Sequence, residues 1–224
     1  MQCLLDDIGV RHGSELSSLS RDALRTWECF LAPLRGQTFD LLQIGVGTGA
    51  SLRTWREWFP EARLIGLDAR RLVLDSQIAD CTIVQGNPTD LGALQPLLRE
   101  YRFRLIVDDS SHHPDDQVQT FQLLFPWLEP NSLYICAGVG ESMTLSMDPL
   151  VQPVERPERA AGLPRRQGGR PERPTGLAWF AELGRALTAS DLRDHRAWQQ
   201  PTREFILRKA SGVLLLRGSV VVTS

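Results

Sequence analysis

The stretch from Phe39 to Asp68 constrains the fold more than any other part of the chain. A short apolar run, 41–46, is followed by glycines at alternate positions and by an amphipathic segment, 51–59. A second apolar run, 62–67, then ends in Asp68. Apolar runs of this length are typical of buried parallel strands, and a helix is the usual crossover between such strands. The stretch therefore predicts strand, turn, helix and strand, with the turn formed by Gly45, Gly47 and Gly49.

The predicted turn has the character of a nucleotide site. Glycine permits a tight turn and lets a ligand approach the backbone closely. An acid at the end of the second strand, here Asp68, can bind two ribose hydroxyls. The spacing is GxGxG rather than GxGxxG, and it resembles the S-adenosylmethionine (SAM) site of class I methyltransferases. A strand–helix turn that binds no ligand is the alternative interpretation.

Strands and helices alternate through the following residues as well. Apolar runs at 81–84, 103–107 and 133–136 predict three more strands, separated by helical segments at 90–101 and 115–128. This rhythm favours a parallel sheet with right-handed crossovers. We expect an α/β, Rossmann-like class I methyltransferase fold. Its mostly parallel, seven-stranded sheet would carry helices on both faces and an antiparallel C-terminal hairpin.

The segments on either side of this core differ from it in amino-acid pattern and composition. A helical stripe at 21–34 lies in an N-terminal segment, and 138–175 is rich in Pro, Arg and Gly. From Arg156 to Arg173 there are six arginines and two glutamates, so we expect a mobile loop or a lid that meets an anionic substrate. The predicted organisation is an N-terminal helical segment (1–36), a SAM-binding core (37–137), the loop (138–175), and a C-terminal helix and hairpin of the same domain (176–224).

The C-terminal part is predicted as one helix, 176–187, and two strands, 204–208 and 213–216, joined by 210–212. Trp179 and Trp198, near the loop, are candidates for the wall of a substrate pocket. The tryptophans nearer the centre of the chain are interpreted as core residues; they are Trp55, Trp58 and Trp127.

Composition excludes several classes of protein. Of 224 residues, 42% are apolar and 23% charged, as in ordinary globular domains, and a net charge of −2 provides no basic field for nucleic acid. No apolar run reaches the ~18 residues of a membrane span, and the N-terminus lacks the pattern of a signal peptide. The cysteines form no CxxC pair, so we interpret them as reduced core thiols of a cytoplasmic protein. A homo-oligomer is left open.

Four motifs in order make the chain resemble the macrolide and deoxysugar O-methyltransferases, the mycinamicin- and macrocin-type enzymes. The similarity covers about residues 5–136. It rests on His12–Leu16, on the glycine motif Gln43–Leu52, on Asp108–His112 in the place of a DDGSH motif, and on Thr120–Tyr134 in the place of TFxxLFPxLxPGGLY. The resemblance implies a SAM-dependent enzyme with a small-molecule acceptor.

The chain departs from this family at charged positions of the motifs. Cys136-Ala137 stand in place of an acid pair, and Leu16 in place of a lysine. Gln43 and Asn87 replace two acids, and we expect each of these changes to remove charge from the crevice. The family holds Mg²⁺ with carboxylates at this sheet edge, and Asp108 matches one of them. Because Mg²⁺ needs several oxygen ligands, we expect weak or absent metal at Asp108 unless Glu141 or Asp115 contributes.

The resemblance also assigns candidate roles. His112 is the candidate general base, since imidazole is suited to accept a hydroxyl proton near neutral pH. Asp109 would orient His112 or accept N–H groups at the start of the next helix, and a solvent-facing His112 is the alternative. The candidate cofactor-binding residues are Gly45, Gly47, Gly49, Ser51, Asp68, Gln85, Asn87 and Asp108.

Three functional hypotheses follow. The first is a SAM-dependent O-methyltransferase acting on a hydroxyl of a sugar or a similar natural product. The second is a degenerate protein of the same fold that serves as a binding or assembly subunit without catalysis. The third is an active, metal-independent transferase that relies on His112 alone.

Overall fold

A computed structural model describes residues 4–70, 78, 80–139, 176–188, 201–216 and 218–224. Most of the predicted loop therefore lies outside the described residues, and so do Glu141 and Trp198. In the part of the chain that is described, no helix is both long and apolar enough to cross a bilayer.

A single seven-stranded sheet, in the order β3-β2-β1-β4-β5-β7-β6, organises the chain. Strands β1 to β5 run parallel, β7 pairs antiparallel with β5, and β6 pairs antiparallel with β7. This confirms the predicted fold class. The strands are β1 (Asp40–Ile44), β2 (Arg63–Asp68), β3 (Cys81–Gln85), β4 (Phe103–Asp108), β5 (Leu128–Ala137), β6 (Gly212–Leu216) and β7 (Ser219–Thr223).

Helices cover both faces of the sheet. Successive strand residues point to opposite faces, so Leu41 and Leu105 belong to one apolar cluster while Leu42 and Ile106 belong to the other. Helices α1 to α3 pack into the first cluster and α4 to α7 into the second. The helices are α1 (Leu4–His12), α2 (Ala23–Leu31), α3 (Ala50–Trp58), α4 (Leu91–Glu100), α5 (Pro114–Leu124), α6 (Gly176–Thr188) and α7 (Pro201–Lys209).

Two predicted helices, 21–34 and 115–128, have shorter α-helical parts than expected. Helix α2 begins at Ala23, and a 3-10 turn, Ala32–Leu34, follows it. Helix α5 likewise continues as a 3-10 turn, Phe125–Trp127. Each 3-10 turn has a proline near its start, where proline is tolerated in a new turn but interrupts a continuing helix.

The predicted strand 204–208 is wrong, because this segment lies in helix α7. Ile206, Leu207 and Ala210 are all buried in one cluster, a spacing of three and four residues that suits one helix face. Pro201 at the first position has a backbone angle favourable to a helix start. The closing hairpin is real but consists of β6 and β7, with Gly218 in the turn at φ +68°.

The predicted burial of the tryptophans and cysteines is confirmed for some of them and wrong for others. Trp55 and Trp58 are buried as expected, but Trp127 is 41% exposed and lies beside Arg102. Trp179 packs in the core against aromatic rings of α5 and α6. Among the described cysteines, Cys136 is buried and Cys81 partly buried, whereas Cys29 is exposed and is not a core thiol.

Candidate active site

An open cleft of about 1050 Å³ lies at the carboxyl ends of β1, β2 and β4. The carboxyl edge of a parallel sheet is where ligands of doubly wound folds bind, because the loops after the strands diverge there. Its lining includes three groups of residues: the turn after β1 (Gly45–Thr48, Ala50, Ser51), the ends of β2 and β3 (Asp68, Ala69, Arg70, Asn87, Pro88, Thr89), and a polar wall (Gly13, Glu15, Arg21, Asp109–His112, Asp116).

Gly45 and Gly47 both line this cleft, and the absence of a side chain has a different consequence at each position. Both have left-handed backbone angles, with φ +77° and +54°. A Cβ on Gly45 would lie 2.1 Å from the carbonyl oxygen of Asp109, so glycine is needed there for the turn to pass the end of β4. A Cβ on Gly47 would meet nothing within 4 Å. Gly47 therefore presents bare backbone to the cleft.

Asp68 holds the turn from the end of β2. Its Oδ2 accepts hydrogen bonds from the backbone N–H groups of Val46 (2.9 Å) and Gly47 (3.2 Å), and its Oδ1 accepts one from Arg70 (2.9 Å). Burial alone would raise the pKa of Asp68, but these hydrogen bonds outweigh it and hold the pKa below its ordinary value. An ionised carboxylate thus lines the cleft beside the turn.

The other predicted cofactor residues divide into two groups. Ser51 and Asn87 line the cleft: the Ser51 hydroxyl lies 3.1 Å from that of Ser14, and Asn87 Oδ1 accepts from the Thr89 N–H at 3.0 Å. Gly49, Gln85 and Asp108 are not among the lining residues. Gly49 instead precedes the first residue of α3.

Gln43 does not line the cleft. The expectation that glutamine in place of an acid here removes a charge from the cleft is therefore wrong. Gln43 is fully buried, its Nε2 donates to the carbonyls of Ile44 and Gly45 (both 3.1 Å), and its Oε1 accepts from the Trp55 indole at 2.8 Å. An amide matches this mixture of donors and acceptors, and a carboxylate would not. Gln43 therefore stabilises the start of the glycine turn through hydrogen bonds from the protein interior.

Asp108 is also turned away from the cleft. Ser110 Oγ donates to its Oδ1 at 2.7 Å, and the Tyr134 hydroxyl donates to its Oδ2 at 2.9 Å. Burial raises the pKa of Asp108 to about 6, although these two hydrogen bonds act in the opposite direction. With both oxygens engaged inside the protein, Asp108 is a poor metal ligand.

His112 and Asp109 form a pair on the cleft wall. His112 Nε2 lies 2.9 Å from Asp109 Oδ1, so the side chain of Asp109 orients the imidazole. His112 has φ +55°, uncommon for a residue with a Cβ, and its ring packs so closely on Gly138 that a Cβ there would lie 2.6 Å from it. The His112 side chain is 22% exposed and lines the cleft.

Arg21 completes this wall, and sequence reasoning missed it. Its Nη1 donates to Asp109 Oδ1 and lies 3.3 Å from His112 Nε2, while Nη2 donates to Glu15 at 3.0 Å. Burial would raise the pKa of Asp109, but the His112 hydrogen bond and the charge of Arg21 hold it below its ordinary value. Leu16, at the family's lysine position, is fully buried. The sequence predicted Arg21 only as the first residue of the helix 21–34 and gave no sign of a role in the site.

A metal site does not assemble from the described residues. No group of three or more His, Cys, Asp or Glu side chains among them could hold an ion. Cys136 and Ala137 are buried, and Asp115 is exposed in the first turn of α5 without lining the cleft. These residues do not fit the oxygen-rich octahedron that Mg²⁺ requires.

Two curated relatives of this chain are O-methyltransferases by name. The chain is 29% identical over 157 residues to the 8-demethyl-8-(2-methoxy-alpha-L-rhamnosyl)-tetracenomycin-C 3'-O-methyltransferase of Streptomyces olivaceus, covering 62% of this chain and 40% of the relative. It is 33% identical over 112 residues to the mycinamicin VI 2''-O-methyltransferase of Micromonospora griseorubida, covering 45% and 27%. The chain thus spans less than half the length of these relatives. No protein-family model matches it.

Solved structures show the same fold. The MycE methyltransferase of the mycinamycin biosynthetic pathway, in complex with Mg, SAH and mycinamycin VI, superposes with a TM-score of 0.73 at 20% identity. The match covers 97% of this chain and 53% of that one. The chain has the fold of class I SAM-dependent methyltransferases and resembles the macrolide and deoxysugar O-methyltransferases.

Proposed function

We propose that this chain is a SAM-dependent O-methyltransferase that acts on a hydroxyl of a sugar or a similar small-molecule natural product. One observation carries the proposal: the same cleft contains an acid-anchored glycine turn on one side and the His112–Asp109 pair on the other. A nucleotide site and a candidate general base thus face a common space. The relatives' activities agree with this reading.

The residues of the nucleotide side fit SAM. The bare backbone at Gly47 leaves room for the ligand, and Asp68 offers a carboxylate to ribose hydroxyls. Ser51 and Asn87 add polar groups along the same wall. When bound, SAM supplies an electrophilic methyl group on a sulfonium centre.

The acceptor side would supply the proton transfer. SAM held by the glycine turn and Asp68 would supply the methyl group, and the acceptor hydroxyl would lose its proton as its oxygen takes up that group. The hydroxyl proton passes to the imidazole of His112, which Asp109 holds in orientation. The protonated imidazole then forms a charge-assisted hydrogen bond with the Asp109 carboxylate.

The non-catalytic alternative rested on lost charges, and the geometry weakens that argument. Gln43 and Cys136 are fully buried and absent from the cleft lining, so their exchange does not change its charge. Asn87 is the exchanged position that does line the cleft. The remaining polar wall still contains three acids, a histidine and an arginine: Glu15, Asp109, Asp116, His112 and Arg21.

Calorimetry with SAM and with S-adenosylhomocysteine, followed by a methyl-transfer assay on a panel of rhamnosyl and other deoxysugar glycosides, tests the proposal. We expect both nucleosides to bind and at least one glycoside to be methylated. Absence of SAM binding would contradict the proposal. Binding with no transfer to any glycoside would support the non-catalytic alternative.

A further inference from the structure

We infer that Arg21 is the resident cation of the His112–Asp109 pair, so that this site works without a bound divalent metal. The inference rests on the proposed function and adds a positioning residue to it. It starts from Arg21, the arginine of the polar wall, which lies outside the four motifs.

The guanidinium of Arg21 has side-chain partners at both of its terminal nitrogens. Its Nη1 contacts Asp109 and His112, and its Nη2 contacts Glu15. The side chain is only 18% exposed, although it lines the cleft. Because it has carboxylates on both nitrogens, the positive charge has a defined position beside the imidazole.

A metal ion would have to displace this arrangement. Asp109 is the carboxylate of the DDGSH-like motif that does face the cleft, and Arg21 already occupies its Oδ1. Among the described residues, the end of β5 offers no replacement: Ala137 has no ligand atom in its side chain, and the His112 ring fills the space in front of Gly138. Mg²⁺ also loses its water reluctantly, so one paired carboxylate would not retain it.

A fixed cation here has a consequence for proton transfer. A like charge beside an imidazole disfavours its protonated form, whereas the Asp109 carboxylate favours it. Arg21 therefore offsets part of the effect of Asp109 on the protonation of His112. It also restrains Asp109, which orients the ring. Arg21 acts through these two residues and is a positioning residue rather than a catalytic one.

The test uses the whole chain with labelled histidine, observed by NMR, and takes Mn²⁺ alone as the metal probe. The His112→Asn variant identifies the His112 ring signal among the four histidines. We expect millimolar Mn²⁺ to leave that signal sharp in the wild type. Calorimetry with SAM on the same sample reports separately on the proposed function.

Three arginine variants complete the experiment. Arg21→Ala should raise the pH at which His112 is half-protonated by about one unit or more, since a neighbouring cation is removed. Arg21→Lys keeps the charge and should restore most of the wild-type value. Arg99→Ala, at an exposed position of α4 outside the cleft lining, is the matched control and should change nothing.

Two results would overturn the inference. One is broadening of the wild-type His112 signal by Mn²⁺, which would place a metal site beside the ring. The other is a folded Arg21→Ala protein, judged by circular dichroism, whose His112 midpoint equals that of the Arg99→Ala control. If SAM fails to bind while the His112 results are as expected, the proposed function fails and the electrostatic role of Arg21 stands.

Discussion

Asp68 connects the strand end, the glycine turn and the cleft, so its charge can be tested apart from its geometry. In Asp68→Asn the amide oxygen can still accept from Val46, but the negative charge is gone. We expect SAM to bind about 10-fold to 100-fold more weakly, because hydrogen bonds to charged groups contribute roughly 1.5–3 kcal/mol. Calorimetry measures this. Glu61→Gln, an exposed change near the other end of β2, is the control, and equal affinities in the two variants would place the nucleoside elsewhere.

For Asp108 we predict an effect of pH on the stability of the fold. Its pKa is about 6 in the folded protein against 3.8 as the ordinary value, so the folded state holds this proton more tightly. The resulting stability is fully present below pH ~4 and is lost as pH rises through about 6; at ~1.4 kcal/mol per pKa unit it amounts to about 3 kcal/mol. Asp108→Asn should therefore gain stability relative to wild type as pH rises from 4 to 7. Urea denaturation at the two pH values measures this, and an unchanged difference would contradict the burial argument.

At the scale of single elements, the sequence predicted strands well where an apolar run is bounded by turn residues. Strands β1, β2 and β4 are buried on both sides, so they appear as continuous apolar runs. The pattern at 204–208 predicts the wrong element because a short apolar run fits a strand or a buried helix turn equally. The position of Arg21 could not be predicted at all. Its contacts with Asp109 and His112 join residues 88 and 91 positions apart, and no local pattern encodes such a pairing.

The turn between β1 and α3 contains two glycines whose replacement should differ in its effect on stability. Alanine at Gly45 or Gly47 would suffer backbone strain of about 1–2 kcal/mol, because both have positive φ. Gly45→Ala would also force its Cβ against the Asp109 carbonyl, whereas Gly47→Ala meets no atom within 4 Å. We therefore expect Gly45→Ala to lower the free energy of unfolding by at least ~2 kcal/mol more than Gly47→Ala does. Chemical denaturation of the pair decides this, and equal losses would show that the end of β4 yields easily.

The whole molecule joins two apolar clusters across one sheet, and the cleft lies where three of its strands end. A ligand bound there contacts the ends of β1, β2 and β4, which are central or near-central in the strand order. Unfolding of the site therefore requires separation of strands whose side chains lie in both clusters. Ligand binding should consequently stabilise the fold as a whole rather than a local segment.

A thermal melt tests this at the scale of the whole chain. At about 100 times its dissociation constant, S-adenosylhomocysteine should add about 2.7 kcal/mol to the free energy of unfolding. For a chain of 224 residues this corresponds to a rise in Tm of roughly 5–10 °C. Millimolar Mg²⁺ should add nothing to this shift, and EDTA should remove nothing, because Arg21 already supplies the positive charge beside Asp109. A Tm that rises with Mg²⁺ in the presence of the nucleoside would contradict the metal-independent site, and a Tm unmoved by the nucleoside would contradict the SAM site itself.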